Sequence, residues 1–225
     1  TNSWCNNFKF ISNKPSIIVA NEFFDCFSIK QYLKLNKFWN EKMVRFNNFE
    51  NKFFLVNSII KDKKLIQELD QYVFNINSSN NGIVEISKNR NKYFDNICKF
   101  LLKNSGLLII IDYGYVTLPE HSTLQSIKLH KKTNVLEYPG KQDITSLVNF
   151  LDLIKIAEKN NINYYGPIDL SDFLLKHGIN ERKNKIIENC NDEEKKLIEK
   201  GFQILTSNKY LGKNFKVFIV SNFDI

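Results

Sequence analysis

Two apolar runs in this chain stop abruptly at groups that could do chemistry. In "SIIVANEFFD", residues 16–25, the run Ser16–Ala20 gives way to Asn21, Glu22 and Asp25, with Phe23 and Phe24 between them. In "LLIIIDYGY", residues 107–115, five aliphatic residues deliver Asp112, followed by Tyr113, Gly114 and Tyr115. Two carboxylates beside an amide can accept several N–H donors from an amine or a guanidinium, or bind the hydroxyls of a cofactor. Glu22 and Asp25 are three residues apart, so they share one face if a helix follows the run. The structural alternative is that Glu22 caps that helix and Asp25 pairs with a lysine. A carboxylate at the tip of a buried strand needs a partner, and the alternative for Asp112 is a turn residue beside Gly114. Phe23 and Phe24 read as core anchors. His130, in the polar stretch "TLQSIKLHKK", could be catalytic or simply exposed.

The elements that would hold these groups can be read from periodicity. Ser16–Ala20 is a continuous apolar run and predicts a buried strand. Residues 29–57 alternate in short runs and predict antiparallel strands turning at "KLNKF" and "FNNFEN". Residues 58–76 show no firm period, and "NINSSNNG" reads as a loop. "GIVEIS" is a short extended piece. In residues 89–106, Phe94, Ile97, Cys98 and Leu101 form a helical stripe, and Gly106 stands where a helix-terminating glycine belongs. The strand ending at Asp112 follows at once. Downstream, Asp143 or Thr145 is expected to cap a helix carrying Leu147, Val148, Leu151, Ile154 and Ile156. "GPIDLSDFLLKHG" predicts a short helix ending at Gly178. Asn191 and Glu194 have the spacing of a capping box, and "FKVFIVS" is a closing strand. Helix flowing into apolar strand is the rhythm of an open α/β sheet, in which ligands sit beyond the carboxyl ends of the strands. Both acidic stretches occupy that position.

Composition excludes several classes. The chain has 225 residues, 43% of them hydrophobic and 13% aromatic, enough for one ordinary core. No apolar run reaches the roughly 20 residues needed to span a bilayer, and the first residues lack the pattern of a signal peptide. Cys5, Cys26, Cys98 and Cys190 are far apart, as are His121, His130 and His177, so reduced thiols and no metal site are expected. The net charge of +8 could mean an anionic partner. The lysines, however, are spread along the chain, and no RNA-binding motif accompanies them, so a solvated basic surface is the expectation. There is no internal repeat and no linker.

In order and spacing, "IIVANEFFD" (17–25), "GLLIIIDYGY" (106–115), "TLQSIKLHKK" (123–132), "YPGKQDITSLVNF" (138–150), "GPIDLSDFLLKHGINER" (166–182) and "YLGKNFKVFIVS" (210–221) resemble one family. It is the MidA-type S-adenosylmethionine-dependent methyltransferases, whose mitochondrial members act as protein arginine methyltransferases in the assembly of respiratory complex I. The chain departs from the family pattern at Phe27 and Ser28, where Leu-Pro is usual. It departs again at Leu147 and Asn149, where His and Asp are usual. It contains no G-x-G, the loop that lets backbone approach the cofactor; Gly106 and Gly114 are eight positions apart.

The resemblance implies an α/β, class I methyltransferase (Rossmann-like) sheet, incomplete on its N-terminal side, with an antiparallel insertion at about 29–57 and helical additions. Residues 1–225 would be the C-terminal part of a single methyltransferase domain, with Ile17–Ala20 and Leu107–Asp112 as inner strands of a mainly parallel sheet. Phe215–Val220 would lie antiparallel to them. It implies Glu22, Asp25 and Asp112 as catalytic residues and Asn21 as a cofactor contact. Tyr113, Gln125, His130 and Asp143 would be substrate contacts. The cofactor implied is S-adenosyl-L-methionine, held weakly or not at all without the glycine-loop segment. The partner implied is a protein substrate, in a bacterial cytoplasm or a mitochondrial matrix. The rival expectation is a non-catalytic binding or assembly protein of the same family.

Overall fold

The computed structural model describes residues 14–75 and 83–224. Cys5 and most of the loop "NINSSNNG" lie outside them. The chain runs β1 (Ser16–Asn21), β2 (Lys30–Leu35), β3 (Phe38–Asn47), β4 (Lys52–Ile59), α1 (Lys63–Asn75), β5 (Val84–Ile86), α2 (Lys88–Asn104) and β6 (Gly106–Tyr115). It continues through β7 (Gln125–Lys128), β8 (Lys131–Thr133), β9 (Asp143–Thr145), β10 (Val148–Asn149), α3 (Phe150–Lys159) and β11 (Asn163–Asp169). The last elements are α4 (Leu170–Lys176), α5 (Ile179–Ile187), α6 (Asp192–Thr206), α7 (Leu211–Asn214) and β12 (Phe215–Ser221).

The main sheet has the order β1-β6-β12-β11, with β10 also pairing β6. β6 is parallel to β1 and β10 and antiparallel to β12. It is the hub because it is covered on both faces. Leu108 and Ile110 join Phe94, Leu101, Leu153 and Phe218 under α2 and α3. Ile109 and Ile111 pack with Leu170, Phe215 and Val217 under α4 and α7. The closing strand is antiparallel, as expected.

β1 differs from expectation. Among the described residues it is an edge strand, and Ile17 and Val19 are 74% and 62% exposed. The run is apolar on both faces, which reads as burial on both. Here α2 covers only the face of Ile18 and Ala20. The sheet is accordingly mixed rather than mainly parallel.

The insertion forms a second, antiparallel sheet of order β4-β3-β2-β5. The α2 stripe of Phe94, Ile97, Cys98 and Leu101 is buried, and Arg90 extends it by one turn. The helix stops at Ser105 (φ 65°), so Gly106 does not terminate it. Gly106 (φ 133°) already belongs to β6, where an added Cβ would lie 2.0 Å from the Ser16 carbonyl oxygen. The glycine serves the close approach of two strands. Residues 63–75 are helical, with Asp62 Oδ1 accepting from the Lys64 N–H at 2.9 Å. The stripe there, Leu65, Ile66, Leu69, Tyr72 and Val73, packs on Tyr32, Trp39 and Val84. The helix expected from Asp143 or Thr145 is instead strand β9, paired with β7. α3 starts at Phe150 because Asn149 caps it, its side chain accepting from the Leu151 N–H at 3.2 Å. The capping box of Asn191 and Glu194 is formed at the start of α6.

Candidate functional site

The polar turn after β1 is built on one residue, Phe24, whose backbone is held from both sides. No helix follows the strand. Glu22 leaves it with φ 46°, its N–H still reaching the Ile111 carbonyl at 3.0 Å. The next peptide groups are gripped by side chains. The Phe24 N–H donates to Asp112 Oδ2 at 2.8 Å, and the Phe24 carbonyl accepts from Arg90 Nε at 2.8 Å. The Phe24 ring is fully buried against Phe27 and Phe94. Phe24 is therefore an anchor, whereas Phe23 is 37% exposed beside Tyr93.

Arg90 ties in a third segment. Its guanidinium donates to Ser146 Oγ at 3.0 Å and to the Leu147 carbonyl at 3.4 Å. The Ser146 N–H in turn donates to the Asp25 carbonyl at 3.0 Å. The turn after β1 and the stretch after β9 thus meet at one buried cation, and the tip of β6 joins them through Asp112 and the Phe24 N–H. Sequence reasoning passed over Arg90. Two signals marked it: it is four residues before Phe94 on the buried stripe, and it is one of three arginines in a chain with 32 Lys and Arg. Behind it, Glu85 is buried and accepts from Gln31 Nε2 at 2.6 Å, the Thr123 N–H at 2.9 Å and the Thr123 hydroxyl. Thr123 Oγ1 also accepts from the Leu147 N–H at 3.0 Å, which joins this network to the same stretch.

The expected acidic residues do come together. Asp112 is completely buried, with Oδ1 accepting from the Tyr113 N–H at 2.9 Å. Burial pushes its carboxyl up to about 7, and the charge of Asp25 adds to this. The two backbone N–H donors and Arg90 oppose the rise. Asp25 is also buried and shifted upward, first by desolvation and then by Glu22, against the pull of Arg90. Glu22 itself is exposed, as is Asn21. The cluster therefore has one accessible carboxylate, Glu22, backed by two buried ones whose protons are held more tightly than usual. Asp112 acts on the site through the turn it holds.

The expected substrate contacts divide. Tyr113 is half-buried with its ring against Phe215; burial raises its phenol, and Glu22 and Asp25 add to the shift, which places it beside the acids. Gln125 is opposite Thr145, next to the Ser146 that bonds Asp25. Asp143 is exposed and two pairs further out, level with Ile127. His130 sits exposed in the β7–β8 turn (φ 61°), roughly 13 Å beyond Gln125 at about 3.3 Å per residue. The hairpin carries His130 away from the acids.

The sequence holds no G-x-G with which backbone could approach a cofactor. Gly106, Gly114, Gly166 and Gly212 each press against the chain's own atoms, whereas Gly140, in the turn before β9, and Gly201, within α6, have open space beside them. Asn21 and the acids can line one side of a cofactor site. What the arrangement offers is an acceptor patch, on which an exposed carboxylate and an amide can take the N–H groups of a cation.

Relatives share this frame. The mitochondrial protein arginine methyltransferase NDUFAF7 homolog of Caenorhabditis elegans is 26% identical over 200 residues, covering 87% of this chain and 46% of that protein. The mitochondrial protein arginine methyltransferase NDUFAF7 of Danio rerio is 24% identical, covering 97% and 50%. The chain thus spans about half the length of these curated relatives. A Burkholderia thailandensis protein crystallised with S-adenosyl-homocysteine superposes with a TM-score of 0.82 at 19% identity, over 99% of this chain and 57% of its own. A second crystal structure from that organism gives 0.82 at 20% identity, over 96% and 58%. The model of a family described as "Putative S-adenosyl-L-methionine-dependent methyltransferase" matches residues 1–168, and the chain belongs to that family.

Proposed function

We propose that this chain is the acceptor-side portion of an S-adenosylmethionine-dependent methyltransferase domain that modifies an arginine of a partner protein. The observation that carries this reading is the acidic cluster of Glu22, Asp25 and Asp112 at the strand tips, with Glu22 exposed. S-adenosylmethionine supplies the methyl group in such chemistry. The residues of this chain orient the acceptor. Methyl transfer needs alignment above all. A delocalised guanidinium is a poor nucleophile, and a carboxylate accepting its N–H groups fixes which nitrogen faces the donor and holds the positive charge. Glu22 is the group placed to do this, with Asn21 on the cofactor side and Tyr113 and Gln125 flanking. Asp25, with a raised affinity for protons, can hold the proton that the nitrogen loses, while Asp112 fixes the turn that carries it. His130 and Asp143 belong to the outer reach of a polypeptide substrate. The curated relatives are mitochondrial by name, and no described helix is long and apolar enough to cross a membrane. A matrix or bacterial cytoplasmic site of action fits this reading.

The test is genetic. The gene is deleted in its own organism, restored as wild type or Glu22→Gln, and methylarginine is quantified across the proteome. Gln keeps the size and one acceptor but loses the charge, worth about 1.5–3 kcal/mol in a charge-assisted contact. Realised in the transition state, that is a rate roughly 10- to 150-fold lower. Full rescue of methylation by Glu22→Gln would refute the assignment.

The second reading is a binding or assembly protein of the same family. It is favoured by the lack of any G-x-G in these 225 residues. On either reading, calorimetric titration of the isolated chain with S-adenosylmethionine is expected to show no low-micromolar affinity.

A further inference from the structure

The β3–β4 hairpin carries more exposed apolar surface than any other element. Phe38, Met43, Val44, Phe46, Phe49, Phe53, Phe54, Leu55 and Ile59 are each more than a third exposed, and Phe49 at the tip is fully so. They point to both faces. Val44 pairs with Leu55 and Phe46 with Phe53 on one face; Met43 pairs with Val56 and Phe54 with Arg45 on the other. The Phe46 and Phe53 rings touch, with centroids 5.0 Å apart. β4 is also an edge: it pairs with β3 alone among the described residues, and so presents a row of unpaired N–H and C=O groups. Its sequence, "KFFLVNSI", has one charge, Lys52, and no proline or bulge to blunt the edge. Such an edge is a template for pairing.

We infer that β4 is a homodimer interface, in which β4 pairs antiparallel with β4 of a second copy about a two-fold axis normal to the sheet near Leu55. The joined sheet has eight strands, in the order β5-β2-β3-β4 and then its mirror sequence in the second copy. A two-fold contact must be self-complementary, and this strand meets that demand. Facing residues keep to one face, so Leu55 meets its own copy, Phe54 meets Val56 and Phe53 meets Asn57. Lys52 falls opposite Ser58, far from the second Lys52. Glu50 at the hairpin tip comes beside Lys61, Lys63 and Lys64 at the base of the other hairpin. The hairpin from 38 to 59 carries two acids and three bases, so its copies meet with little net repulsion. An anionic surface would suit a strongly cationic arm, which this is not.

The test uses the charge-swap logic of a two-fold axis. Wild type, Leu55→Lys and Leu55→Glu are measured by sedimentation velocity at tens of micromolar, with circular dichroism to confirm that each is folded. Leu55 is 42% exposed, so either charge is tolerated by the monomer. Wild type is expected at twice 26.5 kDa, each variant alone as a monomer, and the equimolar mixture of the two again as a dimer. A monomeric wild type overturns the inference. So does a Leu55→Lys protein that remains dimeric, which would place the contact elsewhere, for example at the open edge of β1.

Discussion

Replacing Arg90 with Met tests whether one buried cation organises the candidate site. Met keeps much of the length and removes the charge and every donor. Two well-formed charge-assisted bonds are lost, to the Phe24 carbonyl and to Ser146 Oγ, with a weaker third to the Leu147 carbonyl at 3.4 Å. Such bonds contribute about 1.5–3 kcal/mol each. The Ser146 hydroxyl can turn to another partner, but the two carbonyls cannot. Against the loss stands the desolvation of the guanidinium of Arg90, a residue only 2% exposed, which Met no longer incurs. The net expectation is a loss of about 2–4 kcal/mol, a large share of the roughly 5–15 kcal/mol typical of a domain. Urea unfolding at pH 7 reads it as a lowered midpoint. Arg90→Lys restores the charge but not the fork, and it should recover about half of the loss. A Met variant within about 0.5 kcal/mol of wild type would mean that the three segments are held together by packing alone, and that the clamp reasoning is wrong.

Other outcomes follow from single residues. Asp112 binds its proton more tightly in the folded state, at about 7, than in the unfolded chain, near 3.8. Its contribution is therefore favourable at low pH and is lost as pH rises from about 4 through about 7, by an amount on the order of 4 kcal/mol. In Asp112→Asn, unfolding free energy measured against pH should lack that fall, and a curve parallel to wild type would refute the shift. Gly201 lies within α6, where an added Cβ meets nothing within 4 Å. Gly201→Ala should raise stability by about 0.5–1 kcal/mol, measured by thermal and urea unfolding; a loss would mean that the helix packs closely there.

Local rules made much of this molecule legible before any fold was known. The helical stripe of α2, the hairpin of residues 38–59, the capping box at Asn191 and the closing strand all follow from periodicity and cap chemistry. Those signals act within a few residues, so they survive without the fold. The acids at Glu22, Asp25 and Asp112 could be recognised for the same reason: a carboxylate at the end of an apolar run is conspicuous wherever the run ends up. Tertiary structure decided the rest. Among the described residues it left β1 an edge, because an apolar run does not say how many neighbours it has. It turned Asp143–Thr145 into a strand, because pairing with β7 outweighed the local capping signal. It assigned Gly106 to a strand crossing and sent His130 outward on a hairpin. It also set the division of labour among the acids. Asp112 and Asp25 are buried and Glu22 is exposed because Arg90, 66 positions beyond Phe24, and Asp112, 88 beyond it, hold the Phe24 backbone from either side. No local pattern records a contact between residues so far apart in sequence; only the packing of α2 against the strand tips brings them together.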